Sequence, residues 1–336
     1  AADILLKSNG ITPEGDTVLA GSGPLLLLVA THLISAGAAI QAVLDTTPFS
    51  NYLISLKHFP KALLAFEYLY KGIQMQQKIR NNGVPIYRNV KNLEALGSDS
   101  VEYVRFQNAG RTQEVKANTL FLHNGLVPDT QMTFLLDCDH EWYDVQRYWR
   151  PIVDKWGNTS VNGVGIAGDA AGIAGANAAE ISGYLAGLEA AFSLKMISEQ
   201  ERDLKAKLLQ KKLARETHIR PFLDHLFKPS PDLLVPRDSK TIVCRCEEVT
   251  VDQIRKALES GLSNPNQVKA QTRCGMGPCQ GRMCGLTVSE IIANYGKVNI
   301  ADVDYFRIRP PVKPITLEQL SKIQLVGQLE DGNEIS

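Results

Sequence analysis

The spacing of the cysteines limits what the C-terminal part of this chain can fold into more than any other feature of the sequence. Five of the six cysteines lie between residues 244 and 284. Cys244 and Cys246 are separated by one residue and Cys279 and Cys284 by four, while Cys274 with Cys279 is an alternative second pair. Four thiolates on two such loops can hold an iron–sulfur cluster. A structural zinc site is the other option, but its spacers of usually about two to four residues are longer than the first one here, which favours iron–sulfur.

Composition and charge indicate an ordinary folded protein. Lys plus Arg and Asp plus Glu both number 36, so the formal net charge is zero. A dedicated nucleic-acid-binding protein would show a basic face, and no apolar run approaches the roughly 20 residues of a membrane span. We therefore expect a cytoplasmic protein that binds no nucleic acid, with peripheral attachment to the inner membrane face as a further option. In such a chain, crowded cysteines indicate metal binding rather than disulfides.

A glycine turn near the N-terminus predicts a nucleotide site. An apolar strand leads into Gly21, Ser22 and Gly23, Pro24 begins a helix, and Asp45 ends the next apolar strand, which together make a βαβ unit. The two glycines let a pyrophosphate approach the helix N-terminus, and the aspartate is placed to bind a ribose hydroxyl of NAD(P) or ATP. The alternative is a Rossmann-like domain with a vestigial site, because a leucine stands where the pattern has its third glycine.

A second pair of strand ends predicts part of a flavin site. One predicted strand runs into Asn124 and Gly125, and another, over residues 163–167, delivers Gly168 and Asp169 to the edge of a sheet. A carboxylate in that place can bind the ribityl hydroxyls of FAD. Two ordinary strand–turn junctions are the alternative, but both motifs in this order, downstream of the glycine turn, are typical of flavoproteins with two dinucleotide-binding domains.

The three motifs together resemble a known family. The residues that carry the resemblance are Gly21-Ser-Gly-Pro-Leu-Leu-Leu, Gly165-Ile-Ala-Gly-Asp169, Cys244-Arg-Cys-Glu-Glu-Val-Thr and Thr272-Arg-Cys-Gly-Met-Gly-Pro-Cys-Gln-Gly-Arg-Met-Cys284. They are similar to the FAD-binding subunit of opine oxidases, and similar subunits occur in hydrogen cyanide synthase and heteromeric amino-acid dehydrogenases. The resemblance covers nearly the whole chain. Its C-terminal part resembles the domain named after bacterioferritin-associated ferredoxin (BFD), which holds a 2Fe–2S cluster.

The resemblance also implies which residues hold the cofactors. It favours Cys244, Cys246, Cys279 and Cys284 as the cluster ligands and leaves Cys274 as a bystander. Family members begin with their own glycine turn for FAD, more than a hundred residues before the nucleotide domain. Residue 1 therefore corresponds to the point in the family where the first part of the FAD domain ends and the nucleotide domain begins. We expect the chain to lack the N-terminal FAD-binding segment, through truncation or a split gene, and to hold only the Asp169 side of the flavin site.

The expected fold class is α/β: a two-dinucleotide-binding-domain flavoprotein, like the pyridine nucleotide-disulfide oxidoreductases, with a small helical BFD-like iron–sulfur domain. A Rossmann-like nucleotide domain would be followed by a partial FAD domain. The expected segments are the end of the N-terminal FAD part (1–15), the nucleotide domain (16–117), the returning half of the FAD domain (118–197), a helical linker (198–240), the 2Fe–2S domain (241–297) and a C-terminal tail (298–336).

The resemblance implies an electron-transferring flavoprotein subunit of an amine, opine or imino-acid dehydrogenase, an enzyme class acting on CH–NH donors. A partner flavoprotein subunit would oxidise the substrate, and electrons would pass through FAD and the cluster to an acceptor or the respiratory chain. The sequence offers no amine-oxidising base, so catalytic residues stay unassigned and the isolated chain could be inactive. The rival functions are an NAD(P)H-dependent reductase and a non-catalytic scaffold with a structural metal.

Overall fold

The computed structural model describes residues 2–322, and the chain divides into two compact units, residues 1–235 and 236–336. Residue 1 and the part of the expected C-terminal tail beyond residue 322 lie outside the described residues. None of the helices within residues 2–322 is long and apolar enough to cross a membrane.

The first unit is built from helices and strands in alternation. Its strands are β1 (Thr17–Gly21), β2 (Ile40–Asp45), β3 (Ile86–Arg88), β4 (Lys91–Leu96), β5 (Tyr103–Asn108), β6 (Arg111–Lys116), β7 (Thr119–His123), β8 (His140–Tyr143) and β9 (Tyr148–Pro151). Its α-helices are α1 (Ala2–Asn9), α2 (Pro24–Ser35), α3 (Phe49–Ser55), α4 (Phe59–Leu63), α5 (Phe66–Asn81), α6 (Gln131–Leu135), α7 (Ala176–Ser193), α8 (Glu199–Thr217) and α9 (Arg220–Leu226). Short 3-10 helices lie at Leu56–His58, Gly168–Ala171 and Pro231–Leu233.

A parallel sheet with the strand order β3-β2-β1-β7 forms the centre of this unit. Every residue of β1 is buried, because alternate side chains of the strand pack on opposite faces of the sheet. Leu19 packs with α2 and α5 on one face, and Val18 packs on the other against the antiparallel sheet β4-β5-β6, around the fully buried Phe106. The predicted α/β class and the predicted βαβ unit are confirmed.

The remainder of the first unit contains the hairpin β8-β9 and the contacting helices α7 and α8. The strand predicted over residues 163–167 is wrong: this segment makes only an isolated bridge between Asn158 and Gly165. A strand needs a neighbour with a free edge, and none of residues 2–322 pairs with this segment along its length. The 3-10 helix Gly168–Ala171 follows it directly.

The second unit is small and mainly helical. It contains β10 (Ile242–Cys244), β11 (Val249–Thr250), α10 (Val251–Glu259), α11 (Pro265–Thr272), α12 (Gly285–Gly296), a 3-10 helix (Ile300–Asp302) and α13 (Leu317–Ser321). The helix α10 begins with a capping box, in which the side chains of Thr250 and Gln253 each accept a hydrogen bond from the other's backbone N–H. Val288 and Ile291 of α12 are buried, so α12 supplies much of the core of this unit.

Candidate metal centre and cofactor sites

Two loops of the second unit bring five cysteines together. The end of β10 carries Cys244, and the turn toward β11 carries Cys246. The segment between α11 and α12 carries Cys274, Cys279 and Cys284, the last of which stands at the N-terminus of α12. We call these five residues the five-thiol group. The structure therefore gathers all four predicted ligands and also the fifth cysteine that the family resemblance leaves aside.

Three members of the five-thiol group form a buried set. The Sγ atoms of Cys244, Cys274 and Cys284 all lie within 4.8 Å of one another. The hydrogen bond between Cys284 and Cys274, together with burial, raises the pKa of the Cys284 thiol far above its usual range. The Cys284 thiol therefore stays protonated by itself, and a bound metal ion would replace its proton.

The other two members form a second pair nearer the surface. Cys246 is exposed and Cys279 is half-buried, and the Cys246 thiol donates a hydrogen bond to the sulfur of Cys279. Burial acts to raise the pKa of the Cys279 thiol, but the pKa is lowered overall by backbone N–H groups of Met283 and Gly281, by Cys246 and by the Arg282 cation. Cys279 is therefore the thiol of this pair that ionises more readily.

The backbone of the second loop leaves space for the first. A Cβ atom at Gly277 would lie 2.2 Å from the Cβ of Cys246, closer than two such carbons approach. Arg273, at the end of α11, has a left-handed backbone and its guanidinium bonds Glu247 at 2.9 Å. An all-sulfur donor set on loops that pack this closely fits a 2Fe–2S cluster, which is held by thiolates.

One contact in this region has no counterpart among the sequence-based predictions. Phe306 is only 2% exposed, and its ring lies over the second loop. A Cβ atom at Gly275 or Gly281 would stand 2.8 or 2.7 Å from this ring. In the sequence, the only sign of this contact is the pair of glycines six residues apart. Nothing in the sequence connects them with a phenylalanine 25 residues after the second glycine.

The predicted nucleotide site lies at the C-terminal edge of the parallel sheet. Gly21 has φ of 141°, and a Cβ there would lie 1.8 Å from the carbonyl oxygen of His123, so the close approach of β7 requires glycine. Ser22 donates its N–H to that same oxygen at 2.8 Å. Gly23, with φ of 104°, precedes α2, whose first residue is Pro24 as predicted. The geometry matches a glycine turn at a helix N-terminus.

Asp45 lies opposite Gly21 in the register of β2 with β1. Burial raises the pKa of its carboxyl, while the backbone N–H of Thr47, which donates to the carboxylate at 2.9 Å, partly offsets that rise. Thr46 donates its N–H to Gly21 at 2.8 Å, and its buried hydroxyl has no partner among the described residues. A buried hydroxyl without a partner costs free energy, and a bound polar ligand would recover it. These residues fit a nucleotide.

The residues predicted to contact flavin are more exposed to solvent than those of the nucleotide site. Asn124 and Gly125 follow β7 and are exposed, at the same sheet edge as the glycine turn. Gly168, with φ of 70°, begins the 3-10 helix that carries the exposed Asp169, and Gly168 N–H donates to Ser182 of α7. This arrangement offers a carboxylate on one side of a site.

Comparisons with known proteins agree with this architecture. Residues 242–294 match the family described as BFD-like 2Fe–2S binding domain. L-proline dehydrogenase from P. horikoshii has a similar fold, with a TM-score of 0.62 at 17% identity, over 95% of this chain and 52% of that one. This similarity concerns the fold alone.

The curated relatives are similar over almost the whole chain. An opine oxidase subunit of Rhizobium meliloti is 42% identical over 96% of this chain and 61% of its own length. Its counterpart in strain 1021 of the same species is 38% identical over 95% of this chain and 69% of its own length. Hydrogen cyanide synthase subunit HcnB of Pseudomonas aeruginosa is 31% identical over 92% of this chain and 67% of its own length. The chain thus spans about two thirds of the length of these relatives, and it belongs to the family that contains these opine oxidase and hydrogen cyanide synthase subunits.

Proposed function

We propose that this chain is the electron-transferring subunit of a heteromeric dehydrogenase that oxidises an amine, an opine or an imino acid. The five-thiol group carries the proposal, in a family whose named members are subunits of opine oxidase and hydrogen cyanide synthase. A 2Fe–2S cluster supplies one-electron transfer when it is bound. Electrons would come from FAD and leave toward an acceptor or the respiratory chain.

The placement of the thiols supports a relay. Cys244 and Cys284 lie in the interior of the second unit, whereas Cys246 is exposed and the neighbouring Met283 is 66% exposed. A centre held by these residues would have one side in the core, which fixes its position, and one side at the surface. The surface side is where an electron donor or acceptor would approach.

We assign the predicted ligands Cys244, Cys246, Cys279 and Cys284 to the cluster as part of the same proposal. The exposed Asp169 would hold the ribityl hydroxyls of FAD. The substrate-oxidising flavoprotein subunit would bind separately.

One observation favours a second function, an NAD(P)H-dependent reductase. The glycine turn, the buried Asp45 and the unpartnered hydroxyl of Thr46 suit a dinucleotide, which could deliver hydride to FAD. The same site would equally take ATP, which carries no hydride. The choice between the two functions therefore depends on which donor reduces the cluster.

The test is anaerobic purification of the native-length protein with its partner subunit, followed by metal analysis and titration with donors. We expect two iron and two sulfide per chain, and loss of the visible cluster absorbance on addition of a secondary amine or imino acid. Reduction by NADH without amine would favour the reductase. If the protein contains zinc in place of iron and its absorbance does not change, the chain is a non-catalytic scaffold with a structural metal.

A further inference from the structure

An apolar surface on the first unit has no role in any of the cofactor sites. Six large side chains, spaced as i, i+4 and i+7, form two exposed stripes. The first stripe consists of Phe49, Leu53 and Leu56 on α3 and the following 3-10 helix, and the second of Phe66, Tyr70 and Ile73 on α5. Their exposed fractions run from 57% to 66%. We call these six residues the outer face.

The helices of the outer face are firmly attached on their other side. The side chain of Asn51 donates to the carbonyls of Leu226 and Lys228 at 3.1 and 2.9 Å. Ala62 and Ala65 pack against Ile219 in a small buried cluster. Farther along α5, its last turns join the core of the parallel sheet. The outer face is therefore the solvent side of helices whose inner side is already packed, rather than a disordered loop.

Each stripe of the outer face is large enough to be a functional apolar patch. Leu63 and Leu64 lie between the two stripes in the sequence and are also more than half exposed. With about 100 Å² exposed per side chain, each stripe of three residues presents on the order of 300 Å². The largest apolar patch on an ordinary monomer covers roughly 300–600 Å² and is often functional, and each stripe alone reaches that size.

The charges around the outer face define the chemistry of the partner. Lys57, Lys61 and Lys71 are exposed, while Glu67 is engaged by Arg215 at 2.7 Å. The rim is therefore basic. The first stripe is short and the second covers only the first half of α5, which suits a shaped protein surface better than the plane of a membrane.

We infer that the outer face is the docking surface for the substrate-oxidising flavoprotein subunit, which would present an apolar centre with acidic groups around it. This inference rests on the proposed function, which requires such a subunit. Interfaces of this kind concentrate their binding energy in a few central apolar and aromatic side chains. Substituting one residue of each stripe with a carboxylate would place a buried, unpaired charge in the interface.

The test uses the native-length protein with a C-terminal affinity tag, expressed in its own host. The flavoprotein that co-purifies in equal amount is identified by mass spectrometry and flavin content. In Leu53→Asp and Ile73→Asp we expect the flavoprotein recovered per chain to fall at least tenfold, with circular dichroism and iron content unchanged. The matched control is Leu208→Asp on α8, a leucine 62% exposed against 61% for Leu53, which should retain the flavoprotein.

Each alternative outcome is distinct. A wild-type complex that survives both substitutions would overturn the assignment of the surface while leaving the proposed function standing. Equal loss in Leu208→Asp would show that the effect is not specific to the outer face. Two further results would assign the surface to another occupant. One is a homodimer of the wild type that dissociates in Leu53→Asp. The other is binding of the wild type, but not of Leu53→Asp, to vesicles of phosphatidylglycerol and phosphatidylethanolamine. If no flavoprotein co-purifies with the wild type, both the inference and the proposed function fail.

Discussion

Substitution of Gly277 with alanine tests whether the two cysteine loops must approach as closely as the structure places them. The added Cβ would lie 2.2 Å from the Cβ of Cys246, so the two loops would have to separate by more than about 1 Å to reach ordinary carbon–carbon contact. Overpacking of this kind typically costs about 1–3 kcal/mol. We expect the free energy of unfolding of the second unit to fall by that amount, and the iron bound per chain to fall because Cys246 is displaced.

The two effects are measured separately, iron and sulfide by chemical analysis of anaerobically purified protein and stability by urea titration followed by circular dichroism. The matched control is Gly296→Ala at the end of α12, where a Cβ would lie 3.7 Å from Val298, an ordinary contact. Alanine is the better helix former by about 1 kcal/mol, so this variant should be unchanged or slightly more stable. Normal iron content and unchanged stability in Gly277→Ala would refute the close approach of the loops.

The remaining predictions concern the other predicted site residues. Cys279→Ala should lose the cluster absorbance and Cys274→Ala should retain it; the reverse result would mean that the second ligand pair is wrongly assigned. Gly23→Val should abolish binding of NAD or ATP in a calorimetric titration, because its side chain would occupy the path of the pyrophosphate. Asp45→Ala should weaken the same binding by about 1–3 kcal/mol through one lost hydrogen bond to a charged group, and unchanged affinities in both variants would place the nucleotide elsewhere. In the native-length protein, Asp169→Ala should sharply reduce the FAD recovered per chain, and full occupancy would exclude its role.

The central sheet could be predicted because its signals are local. An unbroken apolar strand, a turn that only glycine can make beside His123, and a proline at the first helical position occur within a few residues of one another. The helices that follow show the limit of such signals. Apolar residues recur at helical spacing between residues 61 and 81, but the structure divides this stretch after Leu63, and Phe66 and Ile73 are exposed. Periodicity identifies a helix without identifying what covers its apolar side.

The candidate metal centre shows the same division between local and distant information. Spacing identifies two loops that carry thiols, and the structure brings both loops together. It also places the sulfur of Cys274 within 4.8 Å of the sulfurs of Cys244 and Cys284. The choice of ligands therefore depends on how the loop turns after α11, where Arg273 adopts a left-handed backbone, and on the ring of Phe306 that the loop's glycines accommodate. Neither feature leaves a periodic trace in the sequence. Because a cluster needs only four of the five thiols, the Cys279→Ala and Cys274→Ala variants together decide which of these neighbours is the ligand.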